Sequence, residues 1–204
     1  NGGYGAVTAD PSGPWTRGAA SLPTLEFSQL ARKRLRPGGV LTVWLPLYEN
    51  TIASVQSEIA TFLEAFPNGV VWGNTNMGQG YDLVLSGTVG DAPIDVEVLA
   101  ARLGRPEYAA VTQSLTEIGF PTLESFLGTF AGRGPELRPW VAGADLNRDR
   151  NLRLQYLAGL GLNSYDQNLI YQAILGYRRW PEGFFTGNPV QLAAIMAQLT
   201  GVSP

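Results

Sequence analysis

An α/β fold, with a mostly parallel sheet crossed by helices and followed by a helical region, is what this 204-residue sequence predicts. Three observations carry the expectation. Short apolar runs bounded by glycine and proline alternate with stretches of helical period as far as residue 92. The last two of those runs are joined without a helix, the mark of an antiparallel pair. From residue 93 onward the period is helical throughout, so two regions are expected, 1–92 and 93–204.

The elements follow in order. Residues 5–9 are a short apolar run closed by Asp10, Pro11, Ser12, Gly13 and Pro14, a buried strand ending in a turn. A helix opens at Ser21 and Pro23, carries Phe27, Leu30, Ala31 and Leu35 on one face, and stops at Pro37-Gly38-Gly39. Arg32, Lys33, Arg34 and Arg36 lie in its last turns, where cations complement exposed carbonyls. Residues 40–45 are nearly all apolar, the pattern of a strand covered on both faces, and Pro46 ends it. Ile52, Val55, Ile59, Phe62, Leu63 and Phe66 mark a second amphipathic helix, closed by Pro67-Asn68-Gly69. Strands at 70–72 and 81–86 then flank a loop rich in glycine and asparagine, 73–80.

In the second region Val111, Leu115 and Ile118 form one helical stripe, and Leu123, Phe126, Leu127 and Phe130 another. Residues 131–151 read as a turn-rich connector. Ser164 is expected to cap a helix bearing Leu169, Ala173, Ile174 and Tyr177, and Asn188-Pro189 to start a last one with Leu192, Ile195, Met196 and Leu199. All of these stripes read as core packing.

Composition narrows the chemistry. The chain has no cysteine and no histidine, which removes disulfides, thiolate and imidazole metal sites, and histidine-assisted nucleophiles. With 14 basic and 17 acidic side chains the formal net charge is −3, so nucleic acid is not an expected partner. The apolar, charge-free stretch 38–48 is about half the roughly 20 residues a bilayer demands, and no transmembrane helix is expected. Asn1 in first place, with no secretory signal, reads as the start of a fragment or processed product.

Asp10 is the leading candidate for chemistry, because ligands of open α/β sheets sit at the carboxyl ends of parallel strands. A carboxylate there holds a cationic amine, accepts its proton and aims the freed lone pair. The alternative is that Asp10 merely caps its own turn. Glycine-rich phosphate loops are absent where they would count: Gly2-Gly3-Tyr4-Gly5 precedes a strand, and Gly159-Leu160-Gly161 follows none. Asp145-x-Asn147-x-Asp149 matches the opening of a calcium loop, but Arg150 stands at the sharp-turn glycine position and Tyr156 at the closing carboxylate.

Three segments carry a family resemblance. They are A-D-P-S-G-P-W at 9–15 with the G-A-A-S-L and L-E-F that follow, R-L-R-P-G-G-V at 34–40 with W-L-P-L-Y at 44–48, and N-R-D-R at 147–150 running on to Gln155-Tyr156. Together they resemble the spermidine synthase-like polyamine aminopropyltransferases, in particular the bacterial branch fused to transporter-like membrane helices. The resemblance is good to about Gly87 and faint beyond Tyr156.

What the resemblance implies is a methyltransferase-like Rossmann fold, of which this chain is the carboxyl-terminal half of the sheet, about four strands, followed by an all-α extension. It further implies decarboxylated S-adenosylmethionine as donor of an aminopropyl group to a polyamine amine. Asp10 matches the catalytic aspartate, and Ser12 and Tyr48 would line the amine pocket. Gly13 and Val43 depart from the family pattern, which has a second aspartate or an asparagine at the first and a glutamine at the second. The family's first three strands and donor loop would precede Tyr4, so this chain alone is expected to bind no cofactor and to be inactive. The strand 5–9 is expected to pair with another chain or with that amino-terminal half. The fused branch implies a transporter-like membrane partner beside a soluble, cytoplasmic domain, although the sequence itself assigns no compartment. Two alternatives stand beside this reading: a catalytically degenerate binding or assembly subunit, and a methyltransferase-like domain with another acceptor.

Overall fold

The structure, a computed structural model, describes residues 3–11, 16, 18–76, 79–90 and 93–200. Its elements in chain order are β1 (Tyr4–Ala9), α1 (Leu25–Arg34), β2 (Leu35–Pro46), α2 (Ile52–Ala65), β3 (Val70–Asn76), β4 (Gln79–Thr88), β5 (Ile94–Asp95), α3 (Val96–Leu103), α4 (Ala109–Glu117), α5 (Leu123–Leu127), β6 (Phe130–Arg133), α6 (Gly134–Val141), α7 (Arg153–Ala158), α8 (Gln167–Leu175), β7 (Phe185–Thr186) and α9 (Pro189–Thr200). The fold is mixed α/β. It divides into two compact units, one of residues 1–91 with 131–179 and one of residues 92–130 with 180–204. The sequence placed its boundary at 92, and the first unit takes back 131–179 from beyond that point.

The first unit is built on a five-stranded sheet in the order β1-β2-β4-β3-β6. β1 runs parallel to β2, and β4 lies antiparallel between β2 and β3, so β1, β2 and β3 share one direction and β4 opposes them. The helix-free link between β3 and β4 thus makes the antiparallel pair that the sequence predicts. The supposed loop 73–80 is mostly ladder, because Gly73 to Thr75 pair with Leu83 to Gly80. β1 is an edge strand.

One face of this sheet carries the core. Leu41, Val43, Leu45, Val71, Leu83 and Leu85 are buried there against Val55, Ile59, Phe62 and Phe66 of α2 and its continuation, Leu137 of α6, and Ile170, Tyr171 and Ile174 of α8. Tyr171 lies so close to β3 and β4 that a Cβ at Gly73 or Gly80 would run into its ring, which is why the glycines stand there. Burial on the other face is only partial. Along β2 burial alternates, with Thr42 and Trp44 half-exposed, and Val84, Ser86 and Trp72 are half-exposed beside them. The expectation that 40–45 is covered on both faces is therefore corrected: an apolar run does not show where the covering helices are, and α1, α2, α6 and α8 all pack on one side.

Residues 131–151 are no mere connector, for they hold β6, α6 and a buried clip at Asn147. The Asn147 amide donates to the carbonyls of Ala20 (2.8 Å) and Pro23 (3.0 Å), and its oxygen accepts from Leu154 N–H (3.1 Å). Its backbone N–H donates to Thr61 Oγ1 at 2.8 Å. Asp145, its neighbour in the calcium-like motif, pairs with Arg153 at 2.9 Å. Ser164 does not cap α8: its hydroxyl donates to the Asn50 carbonyl at 3.2 Å, and Asp166 takes the cap position. The buried face of α8 is Ile170, Tyr171 and Ile174, with Leu169 60% exposed, one residue out of register from the predicted stripe.

In the second unit β5 pairs parallel with β7, and Val96, Leu127, Phe130, Phe185, Ile195 and Leu199 are buried. The helical extension thus also contributes short strands. Asp95 caps α3 by accepting from Val98 N–H, and Thr122 with Ser125 forms a capping box for α5. The stripe of α4 is not core: Val111 is 47% and Ile118 69% exposed, because periodicity identifies an apolar face without supplying its cover.

Candidate functional site

Asp10 stands directly after β1, whose last residue, Ala9, is buried and pairs with Val43. The side chain is exposed, at the carboxyl end of the parallel pair β1 and β2. Ser12 and Gly13 lie outside the described residues. Tyr48 follows β2 and comes to the same end of the sheet. Burial of its ring raises its hydroxyl above the ordinary tyrosine value, and the negative potential of Tyr81, Asp82, Glu49 and Asp10 raises it further. Its hydroxyl thus lies in the field of three carboxylates, Asp10 among them.

The antiparallel course of β4 explains this arrangement. Its first residues return to the end where β2 finishes, so Leu47 N–H donates to Tyr81 C=O at 3.0 Å and Asp82 sits opposite Pro46. Tyr81 stacks on Tyr48 with ring centroids 4.8 Å apart and planes at 31°. Trp44 approaches Tyr48 at 6.2 Å, and its indole N–H donates to Asp82 Oδ2 at 3.0 Å, which fixes both ring and carboxylate. The result is an aromatic wall beside an acidic rim, a surface suited to an organic cation.

Glu49 has a left-handed backbone, φ 52°, uncommon for a non-glycine residue. Its neighbour Asn50 is fully buried and holds it: the Asn50 amide donates to Pro46 C=O at 3.0 Å, and its oxygen accepts from Thr51 N–H at 3.0 Å. Gly161 packs on the same turn, where an added Cβ would lie 2.7 Å from the Asn50 backbone. Thr51 then caps α2 by accepting from Ser54 N–H at 3.1 Å. Glu49, Tyr81 and Asp82 went unnoticed in the sequence. The signal was present, because an antiparallel return after β3 places the start of β4 at the carboxyl end of β2.

No family model and no curated protein matches the chain. The chain is similar in structure to a probable spermidine synthase from Corynebacterium glutamicum ATCC 13032. Identity is 21% and the TM-score 0.40, with 63% of this chain and 41% of that chain covered. This chain thus spans less than half the length of the structure it matches. Among the described residues no helix is long and apolar enough to cross a membrane.

Proposed function

We propose that this chain supplies the amine side of an aminopropyl-transfer site. The acceptor is an aliphatic amine, and polyamines are the class that the family resemblance names. The observation that supports the reading is an acidic and aromatic cluster at the carboxyl ends of β1 and β2, where Asp10 follows β1, Tyr81 packs on Tyr48, and Trp44 holds Asp82. In this reading the acidic rim holds the ammonium and Tyr48 lines its seat. Asp10 takes the proton, and the freed nitrogen lone pair forms the new C–N bond to the aminopropyl group of decarboxylated S-adenosylmethionine. The C–S bond breaks as the sulfonium leaves as a neutral thioether.

The donor side belongs, in this proposal, to a polypeptide that pairs with β1. That strand is an edge of uncharged residues, without the lysine or proline that blunts free edges, and an edge of this kind invites pairing. The same free edge favours a second reading, an assembly subunit that keeps the sheet without the chemistry. Titration calorimetry with 1,6-diaminohexane separates the two. The amine-site reading expects saturable binding that Asp10→Asn weakens at least tenfold, and absence of binding, or equal binding by the variant, leaves only the assembly reading.

A further inference from the structure

The three carboxylates whose field reaches Tyr48 are not held alike. Asp10 follows β1 and is exposed, and Glu49 sits on the left-handed turn after β2. Asp82 stands instead inside β4, its backbone paired with Pro46 of β2 on one side and with Asn74 of β3 on the other. Its side chain is half-buried, and the Trp44 indole N–H donates to its Oδ2 at 3.0 Å. The register explains that bond. Trp44 is opposite Val84, so Asp82 is its diagonal neighbour on the same side of the sheet, within reach of a long aromatic side chain. Among the described residues, no side-chain hydrogen bond fixes the carboxylate of Asp10 or Glu49 in the same way.

We propose that Asp82 anchors an ammonium of the acceptor and that Trp44 is its positioning residue, while Asp10 keeps the proton transfer. This rests on the amine-site reading above and adds to it a residue that holds the cation and a residue that aims the holder. A mobile surface carboxylate gives up side-chain freedom when it closes on a cation, and a solvated ion pair gains little in return. With the Trp44 N–H on Oδ2, the Asp82 carboxylate has its orientation set before an amine arrives, on a strand held from both sides, so less freedom is lost on binding. The indole occupies one oxygen and leaves Oδ1 as the acceptor for an ammonium. Asp10, exposed and just past its strand, stays able to turn as it takes up the proton.

Titration calorimetry of the full chain with 1,6-diaminohexane tests both parts. Asp82→Asn is expected to weaken binding about tenfold or more, and Trp44→Phe, which keeps a ring and deletes the N–H, about threefold or more. In the double variant the loss caused by Trp44→Phe is expected to vanish, because the indole acts through Asp82, whereas a ring that merely packs would add its loss in either background. If Trp44→Phe does not fold, the indole N–H resonance of Trp44 in the isotope-labelled chain takes its place: it is expected to shift as the amine binds, and an unmoved signal overturns the role of Trp44. Unchanged affinity in Asp82→Asn, with binding still weakened in Asp10→Asn, overturns the proposal while the amine site stands, as does an undiminished Trp44→Phe loss in the double variant. Absence of binding by the unaltered chain overturns both.

Discussion

Glu58 on α2 is only 2% exposed, and its Oε2 has no hydrogen-bond partner. Burial alone pushes its carboxyl from the ordinary value of 4.5 up to about 8. Between those two values the folded chain holds a proton that the unfolded chain has released, so stability falls as pH rises across the window and levels off above it. At about 1.4 kcal/mol per pH unit, a rise from 4.5 to about 8 corresponds to a total loss of roughly 5 kcal/mol. Against a typical total of roughly 5–15 kcal/mol this is large. Glu58→Gln removes the charge while keeping the shape of the protonated acid. Urea unfolding followed by tryptophan fluorescence at steps from pH 5 to pH 8.5 is the assay. The variant is expected to gain several kcal/mol on the wild type between the ends of that range. Parallel profiles, agreeing to within about 1 kcal/mol at every pH, would refute the reasoning.

Asn147→Ala leaves the Ala20 and Pro23 carbonyls and the Leu154 amide without their partner and is expected to cost about 2–4 kcal/mol in the same unfolding assay. Gly73→Ala drives a methyl into Tyr171 and is expected to cost about 1–3 kcal/mol, with coupling in a double-mutant cycle with Tyr171→Ala. Asn50→Ala releases the left-handed turn at Glu49, and calorimetry should show weaker amine binding together with a loss of about 1–3 kcal/mol in stability. Pairing along β1 predicts a mass in light scattering above the 21.9 kDa of one chain and slow amide exchange in Tyr4–Ala9, whereas a monomer with rapid exchange there contradicts it.

The half of the fold legible in the sequence was the half written in period and punctuation. The runs around Val7, Leu41 and Leu83, the helix of Val55 and Ile59, and the helix-free return from β3 to β4 all announce themselves locally. What stayed hidden depends on partners distant in sequence. The polar side of α2 is buried because residues 145–147 pack on it: Ser57 Oγ donates to Asp145 C=O at 2.5 Å, and Thr61 receives the Asn147 N–H. A stripe such as Val111, Leu115 and Ile118 looks the same in sequence whether covered or exposed. At the candidate site, Asp10 was picked out by its place after a strand and Tyr48 by the family resemblance. Tyr81, Asp82 and Glu49 join them only through sheet order and the clamp at Asn50, neither of which a single segment encodes.

In the proposed reaction a cationic amine is held where β1 and β2 end. A crystal structure of the chain with 1,6-diaminohexane bound tests it most directly. An ammonium nitrogen is expected ~3 Å from a carboxylate oxygen of Asp10, with the chain of the ligand against Tyr48 and Trp44. Density for the amine at the opposite sheet edge beside β6, with the Asp10 carboxylate turned into its own turn, would contradict it.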